Sequence, residues 1–149
     1  MEQLAGRSIA EMVEDLVHAE TQVEEHSLVL TVDGIERIID GPQLDFGGGE
    51  YEEAGTEVME PQKRDPDDEY GWWQLDEGMY RVRFNESLAL DDGVVGVLQP
   101  WWRAFSNGVT HPTQVVTGKH SELHMLLQVE DAGAEIKENA RLTELRCYT

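Results

Sequence analysis

Groups able to meet a phosphate gather in one stretch of this 149-residue chain, from Trp101 to Lys119. Arg103 can fork onto a phosphate with parallel N–H donors, Ser106 and Asn107 can donate from short side chains, and His111 and Lys119 follow close behind. Arg103 has an alternative use, as a partner for one of the chain's many carboxylates. Breaking a phosphoanhydride needs such donors together with a base for the attacking water and a counter-charge, commonly Mg²⁺. Trp101 and Trp102 stand immediately before Arg103. In a strand they point to opposite faces, so one indole enters the core while the other, with Trp102 the candidate, stacks on a base or packs against a neighbouring subunit.

Other residues with chemical potential are weaker candidates. His111, His120 and His124 invite a metal reading, since residues four apart share a face on a helix or a strand. No HExxH pattern or cysteine partner accompanies them, and no metal site is assigned. The lone Cys147, between Arg146 and Tyr148, excludes an intrachain disulfide and reads as an inert strand residue. Gly47, Gly48 and Gly49 lack the Lys and Thr of a phosphate loop and read as a turn.

Thirty-one acidic residues against 11 basic ones give a formal charge of −20. Such a surface repels nucleic-acid backbones and anionic membranes. Two like charges ~8 Å apart in water repel by about half a kcal/mol, and here there are many such pairs. At ~1 M ionic strength the Debye length falls to ~3 Å and most of that repulsion is screened, so the composition points to a halophile's molar salt. No stretch approaches the ~18 consecutive apolar residues of a membrane span. The opening residues carry early charges and lack the apolar segment of a secretory signal, and the expectation is a cytoplasmic protein.

The elements that must position these groups are mostly strands. Residues 8 to 18 predict a helix, with Ser8 as cap and Ile9, Met12, Val13, Leu16 and Val17 on one face. Ser27 to Val32 and Ile35 to Ile39 predict a hairpin about an Asp33-Gly34 turn. Residues 40 to 70, rich in glycine, proline and acid, predict a long surface excursion with a short strand at Thr56 to Met59. Strands are then expected at Trp72 to Leu75, Gly78 to Asn85, Val94 to Gln99, Thr113 to Val116, Leu123 to Val129 and Arg141 to Tyr148. Strands at this spacing without intervening helices point to a sandwich or barrel, in one domain over residues 1–149.

The order of segments after Trp72 resembles the dUTPase and dCTP deaminase superfamily. The run Leu75 to Leu90 is similar to the family's turn, strand and glutamate, with Glu86 and Leu90 in place. Gly96 to Gly108 occupies the place of the family's phosphate-gripping segment and matches its terminal glycines. In that frame Trp101 falls on the motif's first arginine, Trp102 and Arg103 on its two serines, and Ser106 on its second arginine. Leu123 to Arg146 is similar to the final hairpin, with Ile136, Arg141 and Leu145 fitting. The deaminase's catalytic glutamate falls on Leu126 and its preceding DPG on Val116, Thr117 and Gly118, so Gly118 alone matches. The dUTPase's aspartate has no counterpart in Val115 or Val116. Near the start, Gln22 and Leu28 match the deaminase pattern, and Ser27 replaces its aspartate.

The resemblance implies a mainly β fold, a dUTPase-like distorted barrel or jelly-roll with one N-terminal helix, assembled as a homotrimer. It implies a pyrimidine deoxynucleotide triphosphate and Mg²⁺, with Trp102, Arg103, Ser106, Asn107, His111, Gly118 and Lys119 as nucleotide-binding candidates; the catalytic residues are unassigned. Two functions stay open. One is an enzyme with a rebuilt site at subunit interfaces; the other is a catalytically inactive homologue serving as a nucleotide sensor or protein-interaction module. A buried Leu126 moves no proton, and this favours the second.

The charge argument predicts a melting temperature that climbs steeply between dilute and molar KCl. Differential scanning fluorimetry across that range measures it, and a flat curve contradicts the halophilic reading.

Overall fold

The computed structural model describes all 149 residues, Met1–Thr149. In chain order it contains α1 (Gly6–Ala10), β1 (Val13–Glu14), α2 (Ala19–Gln22), β2 (Leu28–Asp40), β3 (Gly55–Val58), β4 (Trp72–Leu75), β5 (Gly78–Phe84) and β6 (Ser87–Ala89). There follow β7 (Val95–Pro100), α3 (Trp102–Phe105), β8 (Val109–Thr110), β9 (Gln114–Val116), β10 (Lys119–His120), β11 (His124–Val129), β12 (Ala134–Lys137) and β13 (Arg141–Tyr148). The largest sheet runs β8-β11-β5-β2-β13-β7-β9, with β3 also paired to β2. A three-stranded sheet β1-β6-β10 and a two-stranded sheet β12-β4 accompany it, and the large sheet curls into a half-barrel of the dUTPase-like type expected.

The thirteen-residue β2 makes the curl possible. Its first half, Leu28 to Thr31, pairs with β13, while its second half pairs with β5 on one side and β3 on the other. Asp33-Gly34, expected as a hairpin turn, is instead a bulge: Val32 pairs with Phe84 and Gly34 with Arg83. A bulge and a turn draw on the same residue types, and only the partner strand distinguishes them. A Cβ on Gly34 would sit 2.8 Å from a terminal Arg83 nitrogen, a contact that the half-exposed guanidinium can relieve by a small shift. The same guanidinium pairs with the Asp33 carboxylate at 2.9 Å.

The core is built by alternation. Tyr80, Val82 and Phe84 on β5 meet Met125, Leu127 and Val129 on β11, with Leu98, Leu142, Leu145 and Cys147 closing the far side. Cys147 is fully buried and its thiol is pushed up to about 11 by desolvation, as an inert strand residue requires.

The helix expected over residues 8 to 18 is much shorter. It ends after Ala10, and Val13–Glu14 turns into a strand beside β6. Asp15 then takes a left-handed φ of 64°, and a second short helix begins at Ala19. Ile9, Met12 and Val13 are buried as their helical spacing suggested, but strand pairing, not helix, brings Val13 inward. Gly6 is compelled by packing: a Cβ there would lie 1.8 Å from the Glu24 carbonyl oxygen. The glycine run 47–49 is the tip of a hairpin extension, closed by the Asp45 carboxylate, which accepts from the backbone N–H groups of Gly48 and Glu50.

Beneath the barrel wall lies one fully buried carboxyl, Glu86. Its oxygens accept from the Thr31 backbone N–H at 2.8 Å, the Thr31 hydroxyl at 2.5 Å and the Gln22 side-chain amide at 2.8 Å. Burial pushes its pKa up, against these hydrogen bonds, which favour the ionised form. Replacing Glu86 with alanine strands three buried donors, so Glu86→Ala is expected to lose about 3 kcal/mol or more of stability. Denaturant unfolding at fixed salt measures this, and a loss under about 1 kcal/mol would contradict the role given to the network.

Candidate functional site

Eleven lysines and arginines serve a chain with 31 acids, so an unpaired cation is informative. Arg64, Arg81, Arg83 and Arg146 each hold a carboxylate partner, respectively Glu135, Glu36, Asp33 and Glu144. Seven hold none, among them Arg7, Arg37, Lys63 and Lys119, and the other three, Arg103, Lys137 and Arg141, line one groove of about 400 Å³ together with Trp72, Asn107 and Ile136. By contrast, a 280 Å³ cavity on another face is lined by Arg81 and Arg83, already satisfied by Glu36 and Asp33.

Local structure fixes each of these side chains. Arg103 sits on α3, a single turn whose end is closed by the Ser106 hydroxyl donating to the Trp102 carbonyl and the Asn107 amide donating to the Arg103 carbonyl. Lys137 ends β12 and Arg141 opens β13; between them Asn139 takes a left-handed φ of 67°, turning the chain tightly enough to aim both at the groove. Trp72 lies opposite Lys137 in the β4-β12 register. The Arg64 guanidinium stacks 3.6 Å from the Trp72 ring centroid and also binds Glu135 at 2.7 Å.

Under the two arginines lies Trp101. Its ring is buried, with the Arg141 guanidinium 4.3 Å and the Arg103 guanidinium 5.1 Å from its centroid. Its indole N–H is buried without a hydrogen-bond partner. Trp101 itself does not line the groove, whose cations are Arg103, Lys137 and Arg141 and whose one carboxylate, Glu135, is held by Arg64; this is the chemistry of an anion site.

The candidates named from sequence divide into three places. Arg103 and Asn107 line the groove. Trp102, 55% exposed, lies with Phe105 and His111 along a separate depression, and Ser106 is an exposed residue that caps α3. Trp101 and Trp102 do part to inside and outside, but at the start of a helical turn rather than within a strand. Gly118, at a φ of 72°, and Lys119 form the turn into β10 in the three-stranded sheet and do not border the groove.

The histidines do not converge. His111 is buried, its Nδ1 donating to the Pro112 carbonyl at 2.9 Å and its Nε2 accepting the Thr143 hydroxyl at 2.8 Å. His120 donates to the Thr117 carbonyl, and His124 stands on a strand of a different sheet, so the shared face expected of them does not exist. No three His, Cys, Asp or Glu side chains come together to hold a metal ion. Leu126, expected to be buried, is 39% exposed on the outward face of β11, and Val115 is 63% exposed. Neither position offers a carboxylate.

Comparison with known proteins places this geometry in a family. A Methanosarcina mazei protein named probable deoxyuridine 5'-triphosphate nucleotidohydrolase is 30% identical over 141 residues, covering 93% of this chain and 78% of that one. The chain belongs to the dUTPase and dCTP deaminase superfamily. A second probable deoxyuridine 5'-triphosphate nucleotidohydrolase, from Methanosarcina acetivorans, is also 30% identical with the same coverage. In fold, the superfamily likeness extends to the crystal structure of 2'-deoxycytidine 5'-triphosphate deaminase from Agrobacterium tumefaciens, with a TM-score of 0.69 at 15% identity. The match covers 97% of this chain and 47% of the deaminase's, so the chain spans about half the length of that relative. No family model matches. The protein is dUTPase-like and dCTP deaminase-like.

Trp72, Lys137 and Arg141 were not among the binding candidates drawn from sequence. Arg141 was visible only as a match to the final hairpin. Lys137 stands between Glu135 and Glu138 in the sequence, and Arg141 three residues from Glu138 and Glu144, so the lack of an ion-pair partner that marks both cations shows only in the fold.

Burial lowers the His111 pKa below its ordinary 6.5 because desolvation disfavours the imidazolium, outweighing the Pro112 contact. The folded state therefore prefers the neutral ring. The corresponding stability is whole above pH 6.5 and is lost as pH falls toward the folded-state value. Wild-type protein should lose more melting temperature than His111→Gln between pH 7.5 and 5, the two pH values being about one unit above and 1.5 below the free imidazole's. Parallel losses in the two proteins would contradict this.

Proposed function

We propose that the chain binds a pyrimidine deoxynucleotide triphosphate in the groove between α3, β12 and the start of β13. The single observation that carries this is the convergence of Arg103, Lys137 and Arg141, unpaired in a chain of 31 acids, beside the Trp72 indole. The guanidinium groups and the ammonium meet the phosphates, and the indole packs against the base or sugar. The printed names of the Methanosarcina relatives supply the substrate class. The −20 charge does not forbid an anion: at molar salt, repulsion from distant carboxylates is screened within ~3 Å while direct contacts persist.

The proposal includes a homotrimer in a halophile's cytoplasm, with residues 1–149 as one domain. In such a trimer the Trp102 and Ser106 face and the Gly118-Lys119 turn belong at subunit boundaries, where they join the site as nucleotide-binding residues from a neighbouring copy, while His111, buried with both ring nitrogens bonded within the chain, supports that face from behind. Nucleic acid and membranes are not partners of a surface this acidic.

Binding without turnover by the family's mechanism is the form we favour. Leu126 and Val115 stand where the resemblance puts a glutamate and an aspartate, and the groove's one carboxylate, Glu135, is held by Arg64 at 2.7 Å. A missing general base costs ~10² to 10⁴ in rate. Mg²⁺, which the resemblance brings with the phosphates, finds no carboxylate cluster in this groove to hold it.

Incubation of the protein with each deoxynucleotide triphosphate in molar KCl tests both parts. A pyrimidine nucleotide is expected to raise the melting temperature, with neither pyrophosphate nor ammonia released. Arg103→Gln should weaken binding about tenfold, the worth of one charge-assisted hydrogen bond. No thermal shift from any nucleotide defeats the proposal, and release of pyrophosphate or ammonia restores the enzyme.

A further inference from the structure

We infer that the groove takes its nucleotide free of divalent metal, with the Arg103 and Arg141 guanidinium groups and the Lys137 ammonium supplying the counter-charge that Mg²⁺ would otherwise bring. This rests on the nucleotide reading above and extends it to the chemical form of the ligand.

The argument is an inventory of donors and acceptors. Arginine and lysine side chains and the indole N–H donate and accept nothing. The Asn107 amide nitrogen is already given to the Arg103 carbonyl at 2.8 Å, which leaves its oxygen as one neutral acceptor. Glu135 is the groove's only carboxylate, and it closes onto Arg64. Mg²⁺ demands near-octahedral oxygen coordination, usually with one or two protein carboxylates beside the phosphates and water. Nothing in the groove offers that set, and three uncompensated cations there repel a fourth.

Metal chelation would also work against the protein's own contacts. A Mg²⁺ ion on the polyphosphate cancels part of the ligand's charge and occupies the oxygens to which the guanidinium forks must bind. The free polyphosphate presents all of its oxygens to Arg103, Arg141 and Lys137, and the groove's own acceptors are only the neutral Asn107 oxygen and the Glu135 carboxylate already held by Arg64. The counter-charge is thus built into side chains held by α3, β12 and β13, and the divalent ion becomes a competitor.

Isothermal titration of dUTP and of dCTP into the wild-type protein in molar KCl, once with EDTA and once with excess Mg²⁺, tests this directly. Binding is expected to be about tenfold tighter with EDTA, the equivalent of one charge-assisted contact regained. Lys137→Gln, at an exposed position, and Arg103→Gln should both bind more weakly with EDTA and show a smaller difference between the two conditions. Equal affinity in the two conditions, or tighter binding with Mg²⁺, overturns this inference and leaves the nucleotide reading standing. Variants that keep the full metal sensitivity overturn its assignment to these side chains. No heat from either nucleotide in either condition overturns the nucleotide reading itself, and the metal-free form falls with it.

Discussion

A buried carboxylate in a chain that otherwise keeps its acids in water must be fully compensated, and the compensation of Glu86 organises the fold. Its donors come from the end of α2 and from the first half of β2, segments that the Gln22 amide also joins by donating to the Val29 carbonyl at 3.0 Å. The neighbouring Asn85 amide reaches the Thr31 hydroxyl and the Asn139 side chain, each at 2.9 Å. Asn139 is the left-handed residue between Lys137 and Arg141. A single network thus joins the N-terminal helical turns, the long bent strand and the turn that aims two of the groove's cations. Buried networks of this kind are costly when incomplete and rigid when satisfied, so the position of Arg141 is inherited from the core.

The second constraint is scarcity of positive charge. Paired arginines in this protein tie strands together at the surface, as Arg83 does at the β2 bulge and Arg64 does across Trp72 to Glu135. Against that pattern, Arg103 and Arg141 flank a buried indole whose N–H has no acceptor. Arg7 and Arg37 also lack a carboxylate partner, so what sets Arg103 and Arg141 apart is their convergence with Lys137 on one groove. That convergence, of guanidinium groups stacked on indoles and without carboxylate partners, is what supports the proposed anion site. The likeness to a deaminase structure carries the fold and nothing of the chemistry, since identity there is 15%.

Much of the barrel was legible in the sequence. The strands from Trp72 onward fall within a residue or two of their expected bounds because alternating burial along β5, β11 and β13 leaves a clear two-residue period. The N-terminal segment was not legible: its apolar spacing fits a helix, yet pairing of Val13 with Leu88 and a left-handed Asp15 divide it, and neither shows in a local pattern. Asp33-Gly34 failed for a related reason, since bulge and turn use the same residues and the deciding partner, Arg83, lies fifty positions away. The short strands Ser87–Ala89 and Ala134–Lys137 also escaped notice, being defined by long-range partners. Of the residues lining the proposed groove, Arg103 and Asn107 were already candidates through local chemistry. Lys137 and Arg141 were missed because what marks them is the absence of a neighbour, a property of the folded chain alone.

The central claim is that an anion belongs between Arg103, Lys137 and Arg141. Bromide-soaked crystals examined by anomalous scattering test it without presuming any nucleotide. The account predicts an anomalous peak in the groove, against the two guanidinium groups and beside Trp72. A groove empty of bromide while other surface sites fill, or one whose guanidinium groups are closed by the protein's own carboxylates, would contradict it.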